Sequence, residues 1–150
     1  MMDIYIKNIN LNNNKKIKNI ELKSSQIGFI ESVEECLDEA KINSNWVPVS
    51  IYLNSEVIGF AMYGFFEDEG KVWIDRIMID KKYQGFGYGR QAMNLLISIV
   101  FKKYNTDNIY LSIINGNIVA KKLYESLGFV YTLQKDQNGE FIYKFQNKEL

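Results

Sequence analysis

The sequence predicts an α/β (α+β) fold, a mixed sheet with helices on both faces, in one domain over residues 1–150. Three observations lead there. Short alternating or continuous apolar runs recur through the first half, as strands do. Met93, Leu96, Ile97, Val100, Phe101 and Tyr104 fall at helical spacing. Between the last of those strands and this helix lies Tyr83-Gln-Gly-Phe-Gly-Tyr-Gly-Arg90, with glycine at every second position. Strands first, then strand, helix, strand, helix and a closing hairpin, is an order suited to a sheet covered on both sides.

Alternation over Met2–Lys7 predicts a first strand, followed by two short helices at Lys15–Leu22 and Glu31–Lys41. The second carries Glu31, Glu34, Glu35, Asp38 and Glu39. Val47–Leu53 and Val57–Phe66 predict strands joined by a tight turn at Asn54-Ser55-Glu56. Pro48 has no N–H to give a ladder, so its strand is irregular or at an edge there. Glu67–Gly70 is an acidic turn into the strand Lys71–Ile79, and the long helix runs from about Gly89 to Tyr104. Ile109–Ile114 is a strand, and Asn117 is suited to cap a helix ending at Leu127 before Gly128. Phe129–Leu133 and Glu140–Phe145 form a hairpin around Asn138-Gly139.

Composition narrows the chemistry. The chain has 150 residues, 47% of them apolar, enough for a core. Its 18 basic and 18 acidic residues cancel, which removes the electrostatic case for nucleic acid. One cysteine, Cys36, excludes a disulfide within the chain and is read as a small buried residue. Histidine is absent, so the commonest general base is missing and no metal site is expected. No apolar run approaches the ~18 residues of a membrane span, and no signal-peptide core opens the chain. The expectation is a cytoplasmic protein with neither membrane nor nucleic-acid partner.

A glycine-rich turn that opens a helix gathers unpaired N–H groups at the positive end of the helix dipole, which suits phosphate or pyrophosphate. Gly85, Gly87 and Gly89 lack the spacing of the dinucleotide fingerprint, and no P-loop run exists. What is left is Gln-x-x-Gly-x-Gly, carried by Gln84, Gly87 and Gly89 after the strand Val72–Ile79.

The segment Trp73–Phe129 resembles the GNAT superfamily of acetyl-CoA-dependent N-acetyltransferases. The residues that carry the resemblance are Arg76-Ile-Met-Ile-Asp80, the loop Gln84–Gly89, and Asn117-Ile-Val-Ala120 followed by Leu123-Tyr-Glu-Ser-Leu-Gly-Phe129. Val57-Ile-Gly-Phe-Ala-Met-Tyr-Gly64 is also similar to the family's central strand. The resemblance implies a GNAT fold, with six to seven strands, splayed fourth and fifth strands and about four helices. It implies acetyl-CoA as cosubstrate and no metal. Backbone from Gly85 through Phe86, Gly87, Tyr88 and Gly89 to Arg90 would hold the pyrophosphate, with Gln84 part of the motif. Backbone of Ile77, Met78 and Ile79 would pair with the pantetheine arm as an added strand. An amide N–H near Ile77 would polarise the thioester carbonyl. Asn117 would face the arm while capping its helix, with Ala120 beside it.

Tyr124 matches the family's usual general acid for the departing thiolate. With no histidine, a carboxylate, tyrosine or water chain must take the amine's proton. Asp75 is the first candidate, because an acidic residue stands there in polyamine acetyltransferases, which the chain resembles in Phe60–Phe65 and Val72–Arg76. The competing reading pairs Asp75 with a cation at the strand end. Arg76 is an awkward one, since adjacent strand residues point to opposite faces. The acidic helix and Glu67-Asp-Glu69 suit a polycationic amine, or are simply solvated. Trp46, Tyr63 and Phe65 line an apolar slot for methylenes, or belong to the core. The expected reaction is direct acetyl transfer to a polyamine or diamine. The alternatives are another amine (an amino acid, an aminoglycoside, a protein N-terminus) or a non-catalytic acyl-CoA-binding module. Homodimers are common in the superfamily, and no residue here fixes one.

Overall fold

The computed structural model describes residues 3–10, 14–21 and 33–147. The element order is β1 (Ile4–Asn8), α1 (Asn14–Lys18), α2 (Val33–Ile42), β2 (Trp46–Leu53), β3 (Glu56–Phe66) and β4 (Lys71–Ile79). A 3₁₀ turn at Lys81–Tyr83 leads to α3 (Tyr88–Tyr104), β5 (Asn108–Ile113), α4 (Ile118–Leu127), β6 (Val130–Lys135) and β7 (Phe141–Gln146). The first expected helix is shorter than its pattern, and Leu22 and Glu31 lie outside the described residues.

The strands make one seven-stranded sheet in the order β1-β2-β3-β4-β5-β7-β6. All neighbours are antiparallel except β4 and β5, which are parallel and share only Val72↔Ile109 and Trp73↔Tyr110. Beyond Trp73 the two diverge: β4 stays paired with β3 to Ile79, while β5 continues along β7 to Ile113. The splay opens one edge of β4. Pro48 behaves as its chemistry requires, since β1 reaches only Val49 and Pro48 has β3 alone beside it.

Two cores flank the sheet. On one face α3 packs Ala92, Met93, Leu96, Ile97 and Val100 against β2–β5, Phe129 and β7, with Ala120, Tyr124 and Leu127 of α4 against that cluster. On the other, Ile17, Val33, Cys36 and Leu37 of α1 and α2 cover Phe60, Met62 and Met78. Cys36 is buried there as expected. Of the two readings of the aromatics, the core one holds. Tyr63 is buried in the α3 core, with Phe65 beside it near Tyr104, while Trp46 packs against Phe66 and the α2 cluster.

A correction lies in β4. Its register against β3 slips between Phe60↔Met78 and Met62↔Asp75, so Arg76 and Ile77 together oppose Ala61. At this bulge Arg76 adopts φ 53°, a left-handed conformation unusual for a long side chain. Strict alternation is broken, and Arg76 reaches its neighbour: Nη1 lies 3.5 Å from the Asp75 carboxylate. The pairing judged awkward from the strand rule therefore exists.

Candidate active site

The glycine turn is built by positive φ where the sequence offers no Cβ. Gly85 (φ 87°) and Gly87 (φ 83°) are left-handed, and Gly87 is the N-cap of α3 without a side-chain cap bond. The N-terminal end of α3 is therefore not closed by a side chain of its own N-cap residue. Gln84 anchors the turn, its Nε2 donating to the Ile79 carbonyl at 2.7 Å. Asp80, buried at the end of β4, accepts from Lys82 N and Glu21 N at 3.0 and 3.2 Å. It ties the turn to the chain after α1, a role that the sequence reading missed.

Across the splay, α4 begins at Asn117, whose Oδ1 accepts from Ala120 N at 3.3 Å. It ends at Gly128 (φ 113°), whose N–H donates to the Tyr124 and Glu125 carbonyls. Both termini fall where the sequence signals put them, and the helix is thus set to turn Tyr124 inward.

A cavity of about 420 Å³ lies between these elements. It is lined by Ile77, Met78 and Ile79 of β4, by Gln84, Gly85, Gly87, Tyr88, Gly89 and Arg90 of the turn, and by Asn117, Ala120 and Tyr124 of α4. Met78 buries its side chain in the α1–α2 core, so its backbone is what it offers. Tyr83, Val119 and Leu123 also line the cavity and were not foreseen, because nothing but their place in the fold marks them. Phe86 is outside it, 65% exposed, with its ring centroid 5.8 Å from that of Tyr88. The Arg90 guanidinium donates to Ser126 Oγ at 2.7 Å, stitching α3 to α4.

Asp75 is not part of the cavity wall. Its Oδ1 accepts from Arg76 N at 2.8 Å. Burial pushes its carboxyl up to about 6, against the lowering charge and N–H of Arg76, and the charges of Glu140 and Glu39 add to the rise. Burial holds the Tyr124 hydroxyl well above the usual phenol range, and the Asp75 charge adds to this. The Asp75 carboxylate is thus near enough to Tyr124 for its charge to be felt at the hydroxyl. Glu39 of the acidic helix reaches Arg76, with Nη1 2.7 Å from its carboxylate. Of the others, Glu34 lies 4.0 Å from Lys18, and Glu67, Asp68 and Glu69 are exposed on their turn. Glu140, which accepts from Ser112 Oγ at 3.3 Å, also belongs near Asp75 and was missed. Among the described residues no group of His, Cys, Asp and Glu is placed to hold a metal. No helix among them is long and apolar enough to cross a membrane.

Residues 14–129 match the family model described as Acetyltransferase (GNAT) family. Two curated relatives cover 99% of this chain and 100% of their own length. They are a "Probable spermine N(1)-acetyltransferase" of Bacillus subtilis subsp. natto (39% identical) and a "Spermine/spermidine N(1)-acetyltransferase" of Bacillus subtilis (38%). Among solved structures, a spermidine N-acetyltransferase from Vibrio cholerae in complex with CoA and spermine is similar in fold (TM-score 0.72, 18% identity, 94% of this chain and 92% of that one). The glycine turn, the splayed strands and the full-length relatives agree: the chain belongs to the GNAT acetyltransferase family.

Proposed function

We propose that the protein transfers the acetyl group of acetyl-CoA to a primary amine of a polyamine or diamine. The observation that carries this reading is the single cavity in which the glycine turn, the unpaired edge of β4 and Tyr124 meet. The names of two relatives that match end to end support the acceptor class.

The residues fit acetyl-CoA. Gly85 and Gly87 bring backbone close without a Cβ, and the open first turn of α3 supplies N–H groups for a pyrophosphate. The edge of β4 over Ile77–Ile79 would take the pantetheine arm, beside Asn117 and Ala120. When bound, the thioester supplies an activated acyl group with a thiolate leaving group. Asp75, with its carboxyl near 6, is ionised at neutral pH yet basic enough to draw a proton from an ammonium, directly or through water. Tyr124 stays protonated throughout that range and is therefore a donor for the thiolate. Its burial weakens it as an acid, but a thiolate formed in the same space is desolvated too and becomes a stronger base. With no histidine and with Cys36 buried in the α1–α2 core, neither a cysteine nor a histidine is offered to carry an acetyl-enzyme, which favours direct transfer.

Incubation with acetyl-CoA and a panel of spermine, spermidine, putrescine, amino acids and a peptide N-terminus, read by release of free thiol, tests the reading. Turnover is expected with the polyamines first. Thiol release only with the other amines would replace the acceptor class, and binding of acetyl-CoA without turnover on any amine would overturn the enzyme reading.

A further inference from the structure

The Arg76–Glu39 pair joins β4 to α2 at the bulge. Arg76 is the cation shared by two carboxylates, 2.7 Å from Glu39 and 3.5 Å from Asp75. Its side chain is only 15% exposed, less than Asp75 at 28% or Glu39 at 38%. The backbone there is left-handed, although arginine gains nothing from that conformation. Strain of this kind persists where the surroundings over-determine it, and it collects at functional sites. The strain here has a local effect: it swings Arg76 to the same side as Asp75 and gives the Asp75 carboxylate both a backbone N–H and a guanidinium from one residue.

We propose that Arg76, held by Glu39 of α2 at the kink in β4, is a positioning residue that orients the Asp75 carboxylate and sets how readily it takes a proton from the acceptor amine. This rests on the reading of Asp75 as the base. Four groups are within electrostatic reach of that carboxylate: Arg76 on its own strand, Glu39 on α2, Glu140 just before β7, and the Tyr124 hydroxyl on α4. Only Arg76 is positive. Glu39 acts twice, through its own charge and by drawing the guanidinium away from Asp75. The two members of the pair therefore act on Asp75 in opposite senses, although as a structural tie they would act in the same sense.

That opposition is the test. In protein carrying ¹³C-labelled aspartate, the carboxyl resonance absent from Asp75→Asn belongs to Asp75, and its titration is followed without substrates. Arg76→Gly, which keeps the left-handed backbone and removes the guanidinium, is expected to move the midpoint up by about one to two pH units, as loss of a cation within ~4–6 Å does. Glu39→Gln is expected to move it down, and Arg76→Lys to return it toward the parent position. Midpoints that stay put, or that shift the same way in Arg76→Gly and Glu39→Gln, would sink the proposal; Glu39→Gln and Arg76→Lys decide it alone if Arg76→Gly does not fold. The acid limb of kcat/KM for spermidine separates this inference from the one beneath it. A limb that tracks the resonance in every variant supports both. A resonance that moves while the limb stays fixed leaves Arg76 in control of Asp75 and removes Asp75 as the base.

Discussion

Asp75 illustrates what a buried carboxylate costs. Its carboxyl is raised from 3.8 to about 6, so between those values the folded protein holds a proton that the unfolded chain has released. Stability therefore falls as pH rises through that window, and the loss is complete above about 6, at most about 3 kcal/mol. Asp75→Asn keeps an acceptor for the Arg76 N–H and carries no charge. It is expected to raise Tm at pH 7–8 while leaving it nearly unchanged at pH 4, in thermal scans across pH, and to abolish most turnover. A Tm gain that is the same at both pH values would remove the burial argument. Tyr124 makes the complementary case. Tyr124→Phe keeps the ring beside Phe129 and loses only the hydroxyl. Turnover is expected to drop by about 10²–10⁴-fold, the usual worth of a positioned acid, with acetyl-CoA affinity by calorimetry little changed. Parent-like kcat would exclude the hydroxyl as the donor.

At the scale of elements, the turn before α3 holds two glycines that its backbone needs and one, Gly89, that it does not. Gly85 and Gly87 have positive φ, which L side chains rarely adopt. Gly89 does not, and a Cβ there would only touch Ile79 Cγ1 at an ordinary 3.7 Å. Within a helix, Gly89→Ala should stabilise by roughly 0.4–1 kcal/mol, yet its methyl lies on the cavity wall. We expect a slightly higher Tm together with weaker acetyl-CoA binding, measured by denaturant melts and calorimetry. Unchanged affinity would place the ligand away from Gly89. Elements were also the scale at which the sequence was most legible. Asn117, Gly128, Asn138-Gly139 and Pro48 each act locally, so their chemistry announces a cap, a stop, a turn and a strand end without knowledge of the rest. The bulge was not legible, because Arg76 is left-handed for reasons that come from β3, α2 and Asp75 together.

Over the whole molecule, the motifs around Gln84–Gly89 and Asn117–Phe129 marked the donor side because they are contiguous in the chain. The acidic surroundings of Arg76 and Asp75 are assembled from distant pieces, with Glu39 and Glu140, and an acidic helix in the sequence does not say which of its carboxylates turns inward. The choice between slot and core for the aromatics was long-range in the same way: Trp46, Tyr63 and Phe65 are near in pattern but fall on opposite faces of the sheet, in its two cores.

The brief contact between β4 and β5 has a mechanical meaning. The sheet is two plates, β1–β4 and β5-β7-β6, stitched at Val72/Ile109 and Trp73/Tyr110 and otherwise spanned by α3. Such a seam behaves like the hinge of an open book, and the missing rungs of its ladder are backbone groups that no protein strand supplies. An extended ligand laid along β4 would complete the ladder and wedge the pages at a fixed angle. The same short stitch that leaves the sheet incomplete would then let a substrate serve as one of its structural members.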